Sequence, residues 1–214
     1  MPLAGIRDWV FDLDNTLYPA PTLYDAIGER MTSYIAQHAR VDAARALELR
    51  EHYFHEYGAT VVGLSKHHDI DADDFMLDVH DVDYSVLGED HDLAALIAKL
   101  PGRKIIFTNG GGGHAERTLK ALGLDALFQH VFDLGDAGYA PKPQIESYTR
   151  LCNAFDIDPA RAILVEDTLR NLEPAHDMGF ATALVGPVHP DPRPAYVQHY
   201  AHDVHTLLRG WVSA

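Results

Sequence analysis

Trp9-Val10-Phe11-Asp12-Leu13-Asp14-Asn15-Thr16-Leu17 is the stretch around which the rest of the chain is organised. Trp9 to Phe11 is an apolar run short enough for a buried strand. It ends on two carboxylates spaced i, i+2, followed by a polar turn at Asn15 and Thr16. Residues two apart on a strand point to the same side, so both carboxylates can face one site. A bend after the strand would instead let the second offer its backbone carbonyl. Like charges at the end of a buried strand are costly unless a cation or a proton neutralises one of them. A bare Asp-x-Asp is also an ordinary way to end a strand, and only the other motifs decide between the two.

Downstream of this stretch, Tyr18-Pro19-Ala20-Pro21 is a stiff connector. Thr22 is placed to cap a helix carrying Leu23, Ile27, Met31, Tyr34 and Ile35 at helical spacing. Asp42 caps a second, with Ala46, Leu47, Arg50, Tyr53, Phe54 and Tyr57 in period and Gly58 as the stop. Ala59 to Ile70 reads as a glycine-containing link, Asp73 to Val79 as a short helix, and His91 to Leu100 as another, ended by Pro101-Gly102. From Arg103 the pattern alternates. Strands are expected at Lys104–Thr108, His130–Leu134, Ala162–Val165 and Ala181–Val185. Helices are expected at His114–Leu122, Gln144–Phe155, Leu169–Met178 and about Ala195–Leu208. Such alternation implies an α/β fold, a parallel sheet with helices on both faces. The first strand belongs to that sheet. Residues 1–17 plus 101–214 therefore read as an α/β core, and 18–100 as a helical cap inserted after strand one.

The 214 residues suffice for a large core, and a formal net charge of −15 argues against a nucleic-acid polymer or an anionic membrane as partner. An anionic substrate would need a site made locally positive by a metal, a lysine or backbone N–H groups. The single cysteine, Cys152, excludes an intrachain disulfide and reads as a small core residue rather than a reactive thiol. No signal segment or membrane span is visible, so a soluble, cytoplasmic protein is expected. Nothing selects between monomer and dimer.

In open α/β sheets ligands bind beyond the carboxyl ends of the strands. Strand one ends in Asp12 and Asp14, strand two in Thr108-Asn109-Gly110, and strand four in Glu166-Asp167. The loop after strand three holds Pro141-Lys142-Pro143. These four polar clusters, in this order, resemble the haloacid dehalogenase superfamily of aspartate-nucleophile phosphatases. Phe11-Asp12-Leu13-Asp14-Asn15-Thr16 matches its first motif. Ile106-Phe107-Thr108-Asn109-Gly110 matches the second, with Thr where other members have Ser. Lys142 matches the third, and Glu166-Asp167 with Asn171 the acidic fourth. The cap stretches Tyr53-Phe54-His55-Glu56-Tyr57-Gly58 and Val79-His80-Asp81-Val82-Asp83-Tyr84 resemble the pyrimidine 5′-nucleotidase branch.

The resemblance implies a Rossmann-like sheet in the order 3-2-1-4-5 and a set of roles that suit the residue types. Asp12 would be the nucleophile and Asp14 the proton donor and acceptor, the latter helped if Asp12 and partial burial raise its pKa. Mg²⁺ would sit on the Asp12 carboxylate, the Asp14 backbone carbonyl and the Asp167 carboxylate, with Glu166 and Asn171 behind them. Thr108, the N–H groups of Asn109 and Gly110, and Lys142 would hold phosphoryl oxygens. The glycine run 110–113 before a helix suits an anion, though alone it also reads as a flexible loop. Asn171 either orients Asp167 or faces solvent. His67-His68-Asp69 and His80-Asp81 lack a closed ligand set and read as solvated cap residues.

The implied function is Mg²⁺-dependent hydrolysis of a small phosphorylated metabolite, with a pyrimidine nucleoside 5′-monophosphate as the substrate the cap resemblance suggests. The alternatives are another small-molecule phosphatase, acting on a sugar phosphate or phosphoglycolate, and a phosphomutase. A phospho-accepting signalling receiver shares the acidic cluster, Thr and Lys, but needs neither a lid nor an alcohol-protonating acid.

Overall fold

The computed structural model describes residues 5–19 and 21–213, without the side chain of Thr22, so capping by Thr22 lies outside the described residues. Six parallel strands form one sheet in the order β3-β2-β1-β4-β5-β6. They are β1 (Asp8–Phe11), β2 (Arg103–Phe107), β3 (His130–Phe132), β4 (Ala162–Glu166), β5 (Ala181–Val185) and β6 (His199–Ala201). β1 lies at the centre, with Val10 in register with Ile105 of β2 and Leu164 of β4. The expected order is therefore present, extended by one edge strand.

Alternation along the strands builds two apolar layers, as pleating requires. Trp9, Phe11, Ile106, Ile163 and Val165 pack on one side. Val10, Ile105, Phe107 and Leu164 pack on the other, against α7 (Ile145–Phe155) and α8 (Leu169–Asp177). The first layer is covered by α5 (His91–Ala98), α6 (His114–Ala121) and α9 (Val204–Val212). α5, grouped with the cap in the sequence, thus lays Leu93, Leu96 and Ile97 on the sheet.

Helices α1 (Pro21–His38), α2 (Ala43–Tyr57), α3 (Thr60–His68) and α4 (Ala72–Val79) enclose a third core around Ile35, Leu49, Leu64 and Phe75. α1 joins the two regions, with Leu23 and Ile27 on the sheet side and Ile35 in the helical core. α2 has the expected ends: Asp42 accepts from the Arg45 N–H, and Gly58 closes the helix in the left-handed region at φ 83°. Its outward positions Leu47 and Phe54 are exposed.

Two expectations change. Ala59 to Ile70 is not a link but contains α3. Val61, Val62 and Gly63 are weak helix formers, yet the Tyr53 ring packs where a Gly63 side chain would stand, and burial overrides propensity. The closing helix begins at Val204, not near Ala195. β6 precedes it, and Asp203 caps it by accepting from the Thr206 N–H. Half-buried Cys152 packs against the second layer, and burial pushes its thiol up to about 11. No helix among the described residues is long and apolar enough to cross a membrane.

Candidate active site

The ladder carries one residue past β1, because the Asp12 N–H donates to the Val165 carbonyl at 2.9 Å. This puts the Asp12 side chain at the carboxyl edge of the central strand, where it is buried. Its Oδ1 accepts from Lys142 Nζ at 2.7 Å and its Oδ2 from the Thr16 hydroxyl at 2.8 Å. Lys142 Nζ also donates to the Phe107 carbonyl at 2.8 Å and to Glu166 Oε2 at 2.9 Å. All three ammonium hydrogens are thus engaged, on a side chain that is 1% exposed. Asn109 clamps the lysine's backbone: its Oδ1 accepts from the Lys142 N–H at 2.8 Å and its Nδ2 donates to the Lys142 carbonyl at 3.2 Å.

Burial, reinforced by Glu166, raises the Asp12 carboxyl to about 7, against the opposing pull of Lys142. Burial also raises Glu166 and Asp167, with Asp167 adding to the first and Asp12 to the second. Burial disfavours the charge on Lys142, but the Asp12 and Glu166 carboxylates outweigh it and hold its pKa above the ordinary lysine value.

Asp12, Glu166 and Asp167 bring one carboxylate oxygen each within 4.8 Å of one another, with a single ammonium among them. Asn171, on α8, is buried, and its Oδ1 has no hydrogen-bond partner among the described residues. An acidic oxygen cluster in a cavity that Asn171 also lines suits a hard divalent cation. Both oxygens of Glu166 are engaged, Oε2 by Lys142 and Oε1 by the Thr168 N–H at 3.1 Å, as are both of Asp12, and Glu166 is the more deeply buried of the two, 1% exposed against 6%. Asn171 neither faces solvent nor hydrogen-bonds Asp167.

Asp14 departs from expectation. Burial would raise its pKa, but the His114 imidazole, the Tyr18 hydroxyl and His80 together outweigh burial and hold it below the usual carboxylate value. Its Oδ1 lies 2.8 Å from His114 Nε2 and also accepts from the Tyr18 hydroxyl. His80 is not solvated: it is buried, its Nδ1 lies 2.9 Å from the Met76 carbonyl oxygen, and its ring stacks on His114 with centroids 4.6 Å apart. The sequence reading passed over His114, Tyr84 and Thr16 as site residues. The one local signal for His114 is its place directly after the glycine run.

Thr108 is buried at the end of β2, and its Oγ1 accepts from the Gly110 N–H at 2.9 Å. Gly110 therefore spends its N–H on Thr108, leaving the hydroxyl hydrogen of Thr108 to donate elsewhere. The glycines serve close approach. A side chain at Gly112 would stand 2.5 Å from the Met76 carbonyl oxygen of α4, and one at Gly110 2.9 Å from the His114 ring. A cavity of about 550 Å³ opens over the strand ends. Asp12 and Asp167 form part of its floor, and Tyr24, Met31, Phe54 and Met76 line it from the helical side.

Residues 9–179 match the family model of the haloacid dehalogenase-like hydrolases. The N-acetylmuramic acid 6-phosphate phosphatase of Pseudomonas aeruginosa is 29% identical over 209 residues, covering 91% of this chain and 88% of that protein. Phosphate metabolism protein 8 of Saccharomyces cerevisiae is 31% identical over 134 residues. That match takes in 56% of this chain and only 41% of the yeast protein, so it spans about two fifths of that relative. In fold, a crystal structure of a HAD phosphatase from Thermococcus onnurineus superposes with a TM-score of 0.65 at 16% identity, covering 95% of this chain and 97% of that one.

Proposed function

Because the chain belongs to the haloacid dehalogenase-like hydrolases, we propose that it is a Mg²⁺-dependent phosphomonoester hydrolase working through an aspartyl-phosphate on Asp12. The observation that carries this reading is the pair of carboxylates at the cavity floor: Asp12 held by Lys142, and Asp14 two residues on, held by different groups. Displacing a halide needs no proton, whereas an alcohol leaving group does, so a second carboxylate beside the nucleophile favours an oxygen ester.

In the first step a carboxylate oxygen of Asp12 attacks phosphorus, the bond to the ester oxygen breaks, and Asp14, which must carry a proton for this step although its neighbours favour the carboxylate, gives that oxygen its proton. In the second, water attacks the phosphorus of the acyl phosphate, Asp14 takes back a proton, and phosphate leaves with the Asp12 carboxylate restored. Lys142 holds the nucleophile in place and offsets its charge, and the Thr108 hydroxyl and Asn109 N–H would hold phosphoryl oxygens. Mg²⁺, held by the carboxylates of Asp12 and Asp167 and the Asp14 carbonyl with Asn171 behind, would supply positive charge to the phosphoryl group. Helices α1–α4 would act as a mobile cap over residues 1–17 and the sheet, closing to exclude water.

We assign the substrate to cytoplasmic small phosphorylated metabolites, with pyrimidine nucleoside 5′-monophosphates first on the strength of the cap resemblance. The aromatic lining at Tyr24 and Phe54 suits a flat base. Similarity to the Pseudomonas phosphatase over nearly the whole chain supports a sugar phosphate as the second reading. Phosphate release from UMP, CMP, purine monophosphates, sugar phosphates and phosphoglycolate, with Mg²⁺ and with EDTA, tests both. Mg²⁺-dependent release preferring UMP and CMP supports the first; preference for a sugar phosphate replaces it with the second. Release from none, or an isomerised sugar phosphate as product, would overturn the hydrolase reading.

A further inference from the structure

The Asp14 carboxylate is held by residues that the proposed chemistry does not otherwise use. His114, on the first turn of α6, is 1% exposed, and its Nε2 lies 2.8 Å from Asp14 Oδ1. Its Nδ1 lies 2.8 Å from the Tyr84 hydroxyl, which also donates to the His80 carbonyl at 3.0 Å. The His80 ring closes one face of His114, and Gly110 leaves the space the imidazole occupies. The ring therefore has little freedom to turn. Because Tyr84 engages Nδ1, Nε2 is the nitrogen presented to Asp14.

Both contacts of the Asp14 carboxyl, with His114 and with Tyr18, fall on Oδ1. No hydrogen bond among the described residues claims Oδ2, and Asp14 borders the cavity. An acid that moves a proton must present it within hydrogen-bond reach of the leaving oxygen, so the rotamer of this carboxyl matters as much as its identity.

We infer that His114, supported by Tyr18, is a positioning residue for the proton-transfer step: it anchors Asp14 Oδ1 so that Oδ2 is the oxygen exchanging a proton with the leaving group. This rests on reading Asp14 as the proton donor. His114 touches neither nucleophile nor phosphoryl group in that account and acts only through Asp14. Its loss should therefore matter in proportion to how much the leaving group needs a proton.

The test compares benzyl phosphate, whose alkoxide needs protonation, with p-nitrophenyl phosphate, whose leaving group hardly does. Asp14→Asn is expected to lower kcat at least about 100-fold on the benzyl ester and far less on the nitrophenyl ester. His114→Ala should show the same split, with about a 10- to 100-fold loss on the benzyl ester, little change in KM, and a nitrophenyl rate within about threefold of wild type. His114→Gln, whose amide can reach the position of Nε2, should restore much of the benzyl rate. If Asp14→Asn shows the split and His114→Ala lowers both esters equally, the positioning role is overturned. If Asp14→Asn itself lowers both equally, the acid assignment beneath it falls instead. Should His114→Ala fail to fold, Tyr18→Phe removes the second bond with one oxygen; a smaller split in the same direction is expected, and equal losses would overturn the inference.

Discussion

Lys142 and Asp12 stand 130 residues apart in the chain, yet the lysine ammonium lies 2.7 Å from the carboxylate in a pair that solvent barely reaches. The contact depends on three strand ends. β1 delivers Asp12, β2 delivers the Phe107 carbonyl and the Asn109 clamp, and β4 delivers Glu166. Without the ammonium, the buried carboxylates of Asp12 and Glu166 would share the site with no positive charge between them.

Lys142→Met should therefore cost both stability and rate. Leaving buried charge without its partner typically costs about 3–5 kcal/mol, less where a carboxylate can take up a proton instead. Urea unfolding should show a loss of this order, and turnover should fall at least about 100-fold. Glu166→Gln keeps the Asp12 contact and should lose much less of both. Equal behaviour of the two variants would contradict the central place given to the lysine–nucleophile pair.

His80 provides a pH test of packing. Burial first, and then the neighbouring His114, lower its pKa from 6.5 to about 4. A base whose folded pKa lies below its unfolded value binds fewer protons folded than unfolded between those two pH values. Its favourable contribution is therefore complete above pH 6.5 and is lost as pH falls toward 4. His80→Asn can keep a donor for the Met76 carbonyl but does not titrate. From pH 7 to pH 5 wild type should lose about 2 kcal/mol more stability than this variant, measured by urea unfolding. Parallel losses would show that His80 is not held neutral.

Gly63 tests how the helical region closes on itself. A side chain there would stand 2.2 Å from Tyr53 Cγ, and both residues are buried between α2 and α3. Gly63→Ala, usually favourable inside a helix, should here destabilise by about 1–3 kcal/mol through overpacking. Thermal unfolding of Gly63→Ala alone and with Tyr53→Leu checks the cause, since the smaller side chain should recover part of the loss. A stabilising Gly63→Ala would contradict the packing.

Much of the fold was legible because its signals are local. Four apolar runs ending in polar clusters mark the strand ends, and Asp42 with Gly58 marks both ends of α2. β6 was not legible, since His199-Tyr200-Ala201 holds no apolar run and follows a proline-rich stretch that reads as loop. α3 was hidden because the contact between Gly63 and Tyr53 that makes it favourable is tertiary. The positions of Asp12, Glu166 and Asp167 could be anticipated from the strand ends at which they stand, and that of Lys142 from the loop after strand three. The company Asp14 keeps could not: its partner His114 is 100 residues away, and the direction of the carboxyl's pKa follows chiefly from that partner, with Tyr18 and His80 adding to it.

The most direct test of the central claim is to trap the intermediate. Enzyme mixed with Mg²⁺ and its preferred phosphate ester would be quenched during turnover, reduced with borohydride and mapped by peptide mass spectrometry. An aspartyl-phosphate is reduced to homoserine, so the account predicts homoserine at position 12, absent without substrate and absent in Asp12→Asn. Unmodified Asp12 under conditions of demonstrated turnover, or homoserine at another acidic position, would contradict it.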